Sequence, residues 1–283
     1  VDSTALPEQA VRDIITSGFQ SAGQRCSALR MLYVQKDIAD KLLTMLKGAM
    51  DCLVIGDPAD LTTDVGPVID EVPQKKLQSY IDQRQANGQV LHQKAVPTEH
   101  AARGHFIAPT LVQVNGIADL GEEMFGPIVH FATFDAHDLE KILDDVHAQG
   151  YGLTLGLHTR IERRAQELTG RAHVGNIYVN RNQIGAVVGC QPFGGCGLSG
   201  TGPKAGGPLY LTALAHLHED DNATYTDILT ARQLPWDGVS LDSPTGERNI
   251  YRVRGRGEVL CLGPSLKDVE QQIVLAAATH NRA

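Results

Sequence analysis

Apolar positions in the first two hundred residues follow two periods. Ala10, Val11, Ile14, Ile15, Gly18, Phe19 and Ala22 recur every three or four residues, which is the spacing of one helix face. Pro7 suits the first turn of that helix and Gly23 punctuates its end. A strand-like run, Met31–Val34, leads into a second helical stretch, Asp37–Met50, with Ile38, Leu42, Leu43 and Leu46 in phase. Gly56-Asp57-Pro58 breaks the chain, and a third helical stretch, Gln74–Asn87, ends at Gly88. Beyond it, Phe106–Val114, Ile128–Phe134, Leu153–Leu157 and Ile177–Val179 read as strands. Amphipathic stretches, Asp138–Gln149 and Ile161–Arg171, separate the later ones. This alternation predicts an α/β protein, three layers α/β/α with a mostly parallel sheet covered on both faces.

The pattern lapses after Leu214. Residues 216–248 are polar, carry Pro235, Gly238, Pro244 and Gly246, and read as a linker or extended arm. Val253–Leu262 is expected to form a β-hairpin around Gly255–Gly257. A helix over Leu266–Ala278 follows, with Val269, Ile273, Val274 and Ala277 in phase. A strand pair and one helix cannot build a core alone, so this tail is expected to be truncated or to depend on a partner. The expected division is therefore 1–197, 198–248 and 249–283.

Composition narrows the function classes. The 283 residues hold 25 Lys+Arg against 33 Asp+Glu, a net charge of −8, which disfavours a phosphate-backbone binder or an anionic membrane surface. No apolar run is long enough to span a bilayer, and no basic-then-apolar leader opens the chain. Cys26, Cys52, Cys190, Cys196 and Cys261 are odd in number and scattered, which favours a reducing, cytoplasmic setting over a disulfide scaffold. Cys190 and Cys196 lack a second pair and His216 and His218 lack a third ligand, so no metal site is expected. The 29 glycines are dense between Gly185 and Gly207.

Three segments could carry chemistry. Cys26, beside Arg25 and Ser27 and just past a helix end, is either an accessible nucleophile or an inert buried thiol. The run Gly185–Gly197 is either an anion-cradling loop or a tight structural one; it is neither a dinucleotide fingerprint nor a phosphate loop. Glu122-Glu123-Met124-Phe125-Gly126-Pro127 either holds a ribose hydroxyl and covers a flat ring, or is a solvated turn.

Together these segments resemble the aldehyde dehydrogenase superfamily. The resemblance is carried by Phe19-x-x-x-Gly23-Gln24-x-Cys26, Glu123-x-Phe125-Gly126-Pro127, and Pro192-Phe193-Gly194-Gly195 followed by Leu198-Ser199-Gly200. Gln24-Arg25-Cys26-Ser27-Ala28-Leu29-Arg30 and Gly202-Pro203-Lys204-Ala205-Gly206-Gly207-Pro208 are similar to the glutamate-semialdehyde (pyrroline-5-carboxylate) branch, and within it to the dehydrogenase portion of the bifunctional proline utilization A family. The resemblance is dense over Val1–Leu214 and continues through Gly246-Glu247-Arg248-Asn249.

It implies NAD-dependent oxidation of L-glutamate γ-semialdehyde to L-glutamate through a Cys26 thioester, the second step of proline catabolism. The Cys26 N–H would serve an oxyanion hole, Glu123 would bind the nicotinamide ribose, and Phe125 would line the cofactor's end. Ser27, Gly185 and Ala186 would hold the substrate carboxylate and Phe193 would cover its aliphatic carbons. FAD would belong only to a separate proline dehydrogenase domain of the parent, and the parent is expected to be a homo-oligomer. The family's general-base glutamate, its second oxyanion donor and most of its NAD-binding domain would lie upstream of Val1. The chain is therefore expected to be a catalytic-domain fragment, inactive alone, with 249–283 opening a C-terminal Rossmann-like domain. A cysteine hydrolase or acyltransferase using a Cys26–His dyad, and an inert oligomerisation or channelling module, are the other readings.

Overall fold

A computed structural model describes residues 1–214 and 234–283, which fall into two units: Val1–Gly185 with Gly194–Gly202, and Ala186–Phe193 with Pro203–Ala283. His216, His218 and much of the expected arm lie outside the described residues.

The first unit runs α1 (Pro7–Phe19), a 3-10 turn (Gln20–Gly23), β1 (Met31–Gln35), α2 (Lys36–Asp51), α3 (Glu71–Ala86), β2 (Val90–Gln93), α4 (Thr98–Ala101) and β3 (Thr110–Gln113). It continues through β4 (Ile128–Phe134), α5 (Leu139–Ala148), β5 (Tyr151–Gly152), β6 (Thr154–Leu157), α6 (Glu162–Arg171), β7 (Asn176–Val179) and β8 (Cys196–Gly197). Four strands form one sheet in the order β1-β4-β3-β2; β1/β4 and β4/β3 are parallel, and only β2 runs antiparallel, at the edge. β6 and β7 form a second parallel pair, and β5 pairs with β8.

β4 shows why three layers form. Successive side chains of a strand point to opposite faces. Val129 packs under Gly18 of α1, while His130 meets Tyr80 of α3. Helices therefore cover both faces, and nearly every β4 side chain is buried. The core holds Phe19, Leu42, Leu46, Met50, Leu77, Leu111 and Ile128, each almost free of solvent. Such side chains contribute roughly 1.5–3 kcal/mol apiece. Val1 and Asp2 join the two parallel sheets. The Val1 amino group donates to the Tyr33 carbonyl (2.8 Å), Gln35 N–H donates to the Val1 carbonyl (3.0 Å), and Asp2 N–H donates to the His158 carbonyl just past β6 (3.0 Å). Asp2 also accepts from Thr159 Oγ1 and from Arg164 (2.5 Å).

The expected strand Phe106–Val114 is shortened to β3. Pro109 offers no N–H, and the chain before it bonds elsewhere, with Val68 N–H on the His105 carbonyl. β2 has no counterpart in the sequence reading.

The second unit contains α7 (Tyr210–Leu214), β9 (Val239–Leu241), β10 (Asn249–Tyr251) and α8 (Leu266–Ala278). The expected hairpin at Val253–Leu262 does not form. The strand pair is instead β9/β10, antiparallel, turned by Pro244–Glu247 with Gly246 at φ 87°. Residues 255–259 are engaged by the end of α8: Arg282 N–H donates to the Gly257 carbonyl and Val259 N–H to the Arg282 carbonyl, both at 2.8 Å. Gly255 lies so close to the His280 carbonyl that no side chain fits there. The α8 bounds agree with the sequence reading, and Ser265 with Asp268 forms a capping box at its start.

Candidate active site

The loop after α1 is built by backbone reversal. Ser21, Ala22 and Gly23 are all left-handed, at φ 55°, 52° and 64°. Non-glycine residues adopt this conformation at a cost of about 1–2 kcal/mol each. The reversal brings Gly23 onto Gly126, against whose carbonyl any Cβ at position 23 would collide. Gln24 fixes the same loop from another side, donating to the Pro67 carbonyl (3.2 Å) and accepting from Ile69 N–H (2.9 Å). A turn closed by Ala28 N–H on the Arg25 carbonyl (3.0 Å) then presents Cys26 to solvent. The buried-thiol alternative does not apply, because Cys26 is exposed. Ser27 is buried beside it, its carbonyl accepting from Gln183 Nε2 (3.2 Å) and Thr154 Oγ1 (3.4 Å).

Glu123 and Phe125 stand on the turn before β4. Both are substantially exposed, and both meet Arg30, the residue just before β1. Arg30 Nε donates to Glu123 Oε1 (3.1 Å), Nη1 to the Gly126 carbonyl (3.1 Å) and Nη2 to the Arg25 carbonyl (3.3 Å), while its guanidinium lies 4.9 Å from the Phe125 ring centre. Burial lowers the Arg30 pKa, and the hydrogen bond and charge of Glu123 oppose that shift. Behind it, His130 is fully buried and donates through Nδ1 to the Arg30 carbonyl (2.8 Å). A carbonyl only accepts, so Nδ1 carries the proton and Nε2 accepts from Tyr80 Oη at 2.8 Å. Burial pushes the His130 pKa down to about 4, which matches this neutral tautomer.

A cleft of about 730 Å³ within this unit opens between β1 and β6 and reaches both Cys26 and Glu123. Asp13 and Arg181 also line it. Asp13 Oδ2 is buried without a hydrogen-bond partner, and burial raises its pKa.

Gly185 closes the first unit, exposed and left-handed at φ 72°, with open space where a Cβ would point. Two residues earlier, Gln183 ties this stretch to α1 and the Cys26 loop, its N–H on Ser17 Oγ (3.1 Å) and its amide on the Ser27 carbonyl. Ala186 and Phe193 belong to the second unit. There Phe193 pairs with Ala205 through two backbone bonds of 3.0 and 2.9 Å. Gln191 accepts from Val187 N–H (3.0 Å) and donates to Glu247 (3.1 Å) and Asn249 (3.3 Å).

Residues 1–218 fit the aldehyde dehydrogenase family model. The chain belongs to the aldehyde dehydrogenase family. It is 42% identical to the bifunctional protein PutA of Salmonella typhimurium, with all of this chain but 25% of that protein aligned. To the 1-pyrroline-5-carboxylate dehydrogenase of Geobacillus kaustophilus it is 38% identical, over 75% of this chain and 40% of that one. Among solved structures, a Bradyrhizobium japonicum proline utilization A variant superimposes with a TM-score of 0.71 at 49% identity, over 75% of this chain and 21% of that one. A Thermus 1-pyrroline-5-carboxylate dehydrogenase with bound NAD gives 0.67 at 34%, over 75% and 40%. The chain thus spans about a quarter of the PutA relatives it matches.

The sequence reading singled out no role for Arg30, Gln183 or His130. Arg30 was present in the quoted Gln24–Arg30 motif, but its partners are some ninety residues away, and only the sheet brings them together. Among the described residues no group of three or more His, Cys, Asp or Glu side chains forms a metal-sized cluster, and no helix is long and apolar enough to cross a membrane.

Proposed function

We propose that the protein to which this chain belongs oxidises L-glutamate γ-semialdehyde to L-glutamate, with Cys26 as the nucleophile and NAD as the cofactor. The observation that carries this reading is an exposed Cys26 beside the cleft, tied through one loop to the Glu123–Phe125 turn. Glu123 and Phe125 fit the nicotinamide end of NAD: one carboxylate oxygen is free of Arg30, and the ring is 43% exposed. When bound, NAD supplies the hydride acceptor.

In this proposal Cys26 Sγ bonds to the aldehyde carbon, and the Cys26 N–H stabilises the oxygen that gains charge. After oxidation the carbon is held as a Cys26 thioester. Water then breaks the C–S bond, returning the thiol and releasing a carboxylate. Ser27 and Gly185 are assigned to the substrate's own carboxylate, with a hydroxyl and a backbone N–H on an exposed glycine that has open space where a Cβ would point. Ala186 and Phe193 take the roles that the family resemblance implies.

The base for thioester hydrolysis and most of the NAD site are assigned to parent residues before Val1. Val1 and Asp2 bond to β1 on one side and to the β6 end on the other. The domain division 1–197, 198–248 and 249–283 is kept as part of this proposal.

Three histidines are already bonded elsewhere, which weighs against their serving a hydrolase dyad: His130 serves Tyr80 and the Arg30 carbonyl, His92 faces Asp51 and His105 faces Gln74. The deciding experiment is NAD reduction by the full-length parent with glutamate semialdehyde against propanal. A strong preference for the semialdehyde is expected. Equal rates would remove the substrate assignment, and no NADH from either would remove the dehydrogenase.

A further inference from the structure

Arg30 holds a position that the proposed reaction does not yet use. Its side chain is only 12% exposed, yet the carboxylate it meets, Glu123, is 55% exposed at the cleft. A structural ion pair buried for stability would enclose both partners. Here the cation is enclosed and the anion is presented. Glu123 Oε1 accepts from Arg30 Nε at 3.1 Å, which orients the carboxylate and leaves Oε2 for another donor.

The same guanidinium reaches three further groups. Nη1 holds the Gly126 carbonyl at 3.1 Å, fixing the turn after Glu123. Nη2 holds the Arg25 carbonyl at 3.3 Å, one residue before Cys26. The planar cation lies 4.9 Å from the centre of the Phe125 ring, which fixes that ring from one side. The Arg30 backbone is fixed as well, since its carbonyl accepts from His130 N–H (2.9 Å) and His130 Nδ1 (2.8 Å). An ammonium could not reproduce this, because one point charge cannot serve three acceptors in a plane and stack on a ring.

We infer that Arg30 is a positioning residue that couples the nucleophile loop to the cofactor-binding turn. It holds Glu123 and Phe125 in place for a nucleotide's ribose and base while anchoring the peptide before Cys26. This inference rests on the dehydrogenase reading. It assigns Arg30 no bond to substrate or cofactor; its effect passes through Glu123, Phe125 and the Arg25 carbonyl.

The test uses the full-length parent, with Arg30→Gln, Arg30→Lys, Glu123→Gln and the Arg30→Gln/Glu123→Gln double variant. NAD affinity is measured calorimetrically, alongside KM for NAD, kcat and Tm. Arg30→Gln is expected to weaken NAD binding about tenfold, and the double variant should be no weaker than the worse single one, because coupled residues are not additive. Arg30→Lys, which keeps the charge but not the fork, should raise KM for NAD about fivefold and also lower kcat, because the peptide before Cys26 loses its anchor. NAD affinity of Arg30→Gln within about twofold of the parent's, or single effects that multiply in the double variant, would overturn the inference. If Arg30→Gln does not fold, an unchanged KM for NAD in Arg30→Lys overturns it instead. A parent that binds no NAD at all would defeat the dehydrogenase reading, a different result from either of these.

Discussion

Gly23 and Gly126 are in backbone contact, with no room at position 23 for even a methyl group against the Gly126 carbonyl. Gly23 is also left-handed, at φ 64°. The loop carrying Cys26 and the Glu123–Phe125 turn can approach this closely because Gly23 lacks a side chain. Leu77 of α3 occupies the space where a Cβ of Gly126 would be.

Gly23→Ala should therefore destabilise the fold by at least about 2 kcal/mol, from the left-handed backbone and the overlap together. Gly48 provides the contrast. It lies in the interior of α2, exposed, with nothing within 4 Å of an added Cβ. Gly48→Ala should stabilise by roughly 0.5–1 kcal/mol. Urea titration of the two variants checks both signs, and a neutral Gly23→Ala would show that the loop contact is not tight.

Ser27 gives a prediction about specificity. In the full-length parent, Cys26→Ala should abolish aldehyde oxidation with little change in Tm, since the residue is exposed. Ser27→Ala should lower kcat/KM for a carboxylate-bearing aldehyde by the equivalent of about 1–3 kcal/mol, the contribution of one hydrogen bond to a charged group. Propanal should be affected far less. Equal losses on the two substrates would reject Ser27 as the carboxylate anchor and leave it a structural residue of the loop.

How much of this was legible in the sequence depended on whether the signal was local. The continuous apolar run of β4 gave the observed bounds because burial on both faces is written directly into composition, whereas α8 keeps its expected bounds although Ile273, Val274 and Ala277 of its in-phase stripe are exposed. β2 escaped notice because it is a half-buried edge strand of four residues with a register shift between Val90 and His92. The hairpin was displaced because Gly257 and Val259, within the strand-like run Val253–Leu262, are bonded by Arg282 just past α8, while the turn at Gly246 pairs two strands of only three residues each, Val239–Leu241 and Asn249–Tyr251. The site divided in the same way. Cys26, Glu123 and Phe125 were named from motifs, whereas Arg30 and His130 gain their importance from contacts made across the sheet.

His130 makes stability depend on pH in a defined direction. Its pKa is about 4 in the fold, below the ordinary 6.5, because it is buried, with Arg84 and Arg30 nearby adding to the shift. Between those values the unfolded chain binds a proton that the folded chain does not. The stabilisation is thus complete above pH 6.5 and is lost as pH falls toward 4, at up to about 1.4 kcal/mol per pH unit. His158, also pushed down to about 4 by burial, acts in the same window. Unfolding free energies from pH 7 to 4 should steepen accordingly, and His130→Asn should remove about one proton from that dependence. An identical pH profile for the variant would mean that His130 titrates normally in the fold.

Gln191 makes the last prediction, within the second unit. Its amide oxygen accepts from Val187 N–H at 3.0 Å, and its amide nitrogen donates to Glu247 at 3.1 Å and Asn249 at 3.3 Å. One buried side chain thus braces the Ala186–Phe193 loop against the turn that leads into β10. Gln191→Ala leaves the N–H of the exposed Val187 to water instead of that acceptor, a loss of roughly 0.5–1.5 kcal/mol for one hydrogen bond. Gln191→Glu keeps the acceptor but sets a second carboxylate beside Glu247, so the brace should become repulsive. Hydrogen exchange over residues 186–193 should accelerate in both variants, and in Gln191→Glu the acceleration should weaken as pH is lowered through the carboxylate range. Exchange rates equal to those of the unmodified chain would show that the loop is held by its own turn, Gln191 N–H on the Val187 carbonyl, and not by the strand it faces.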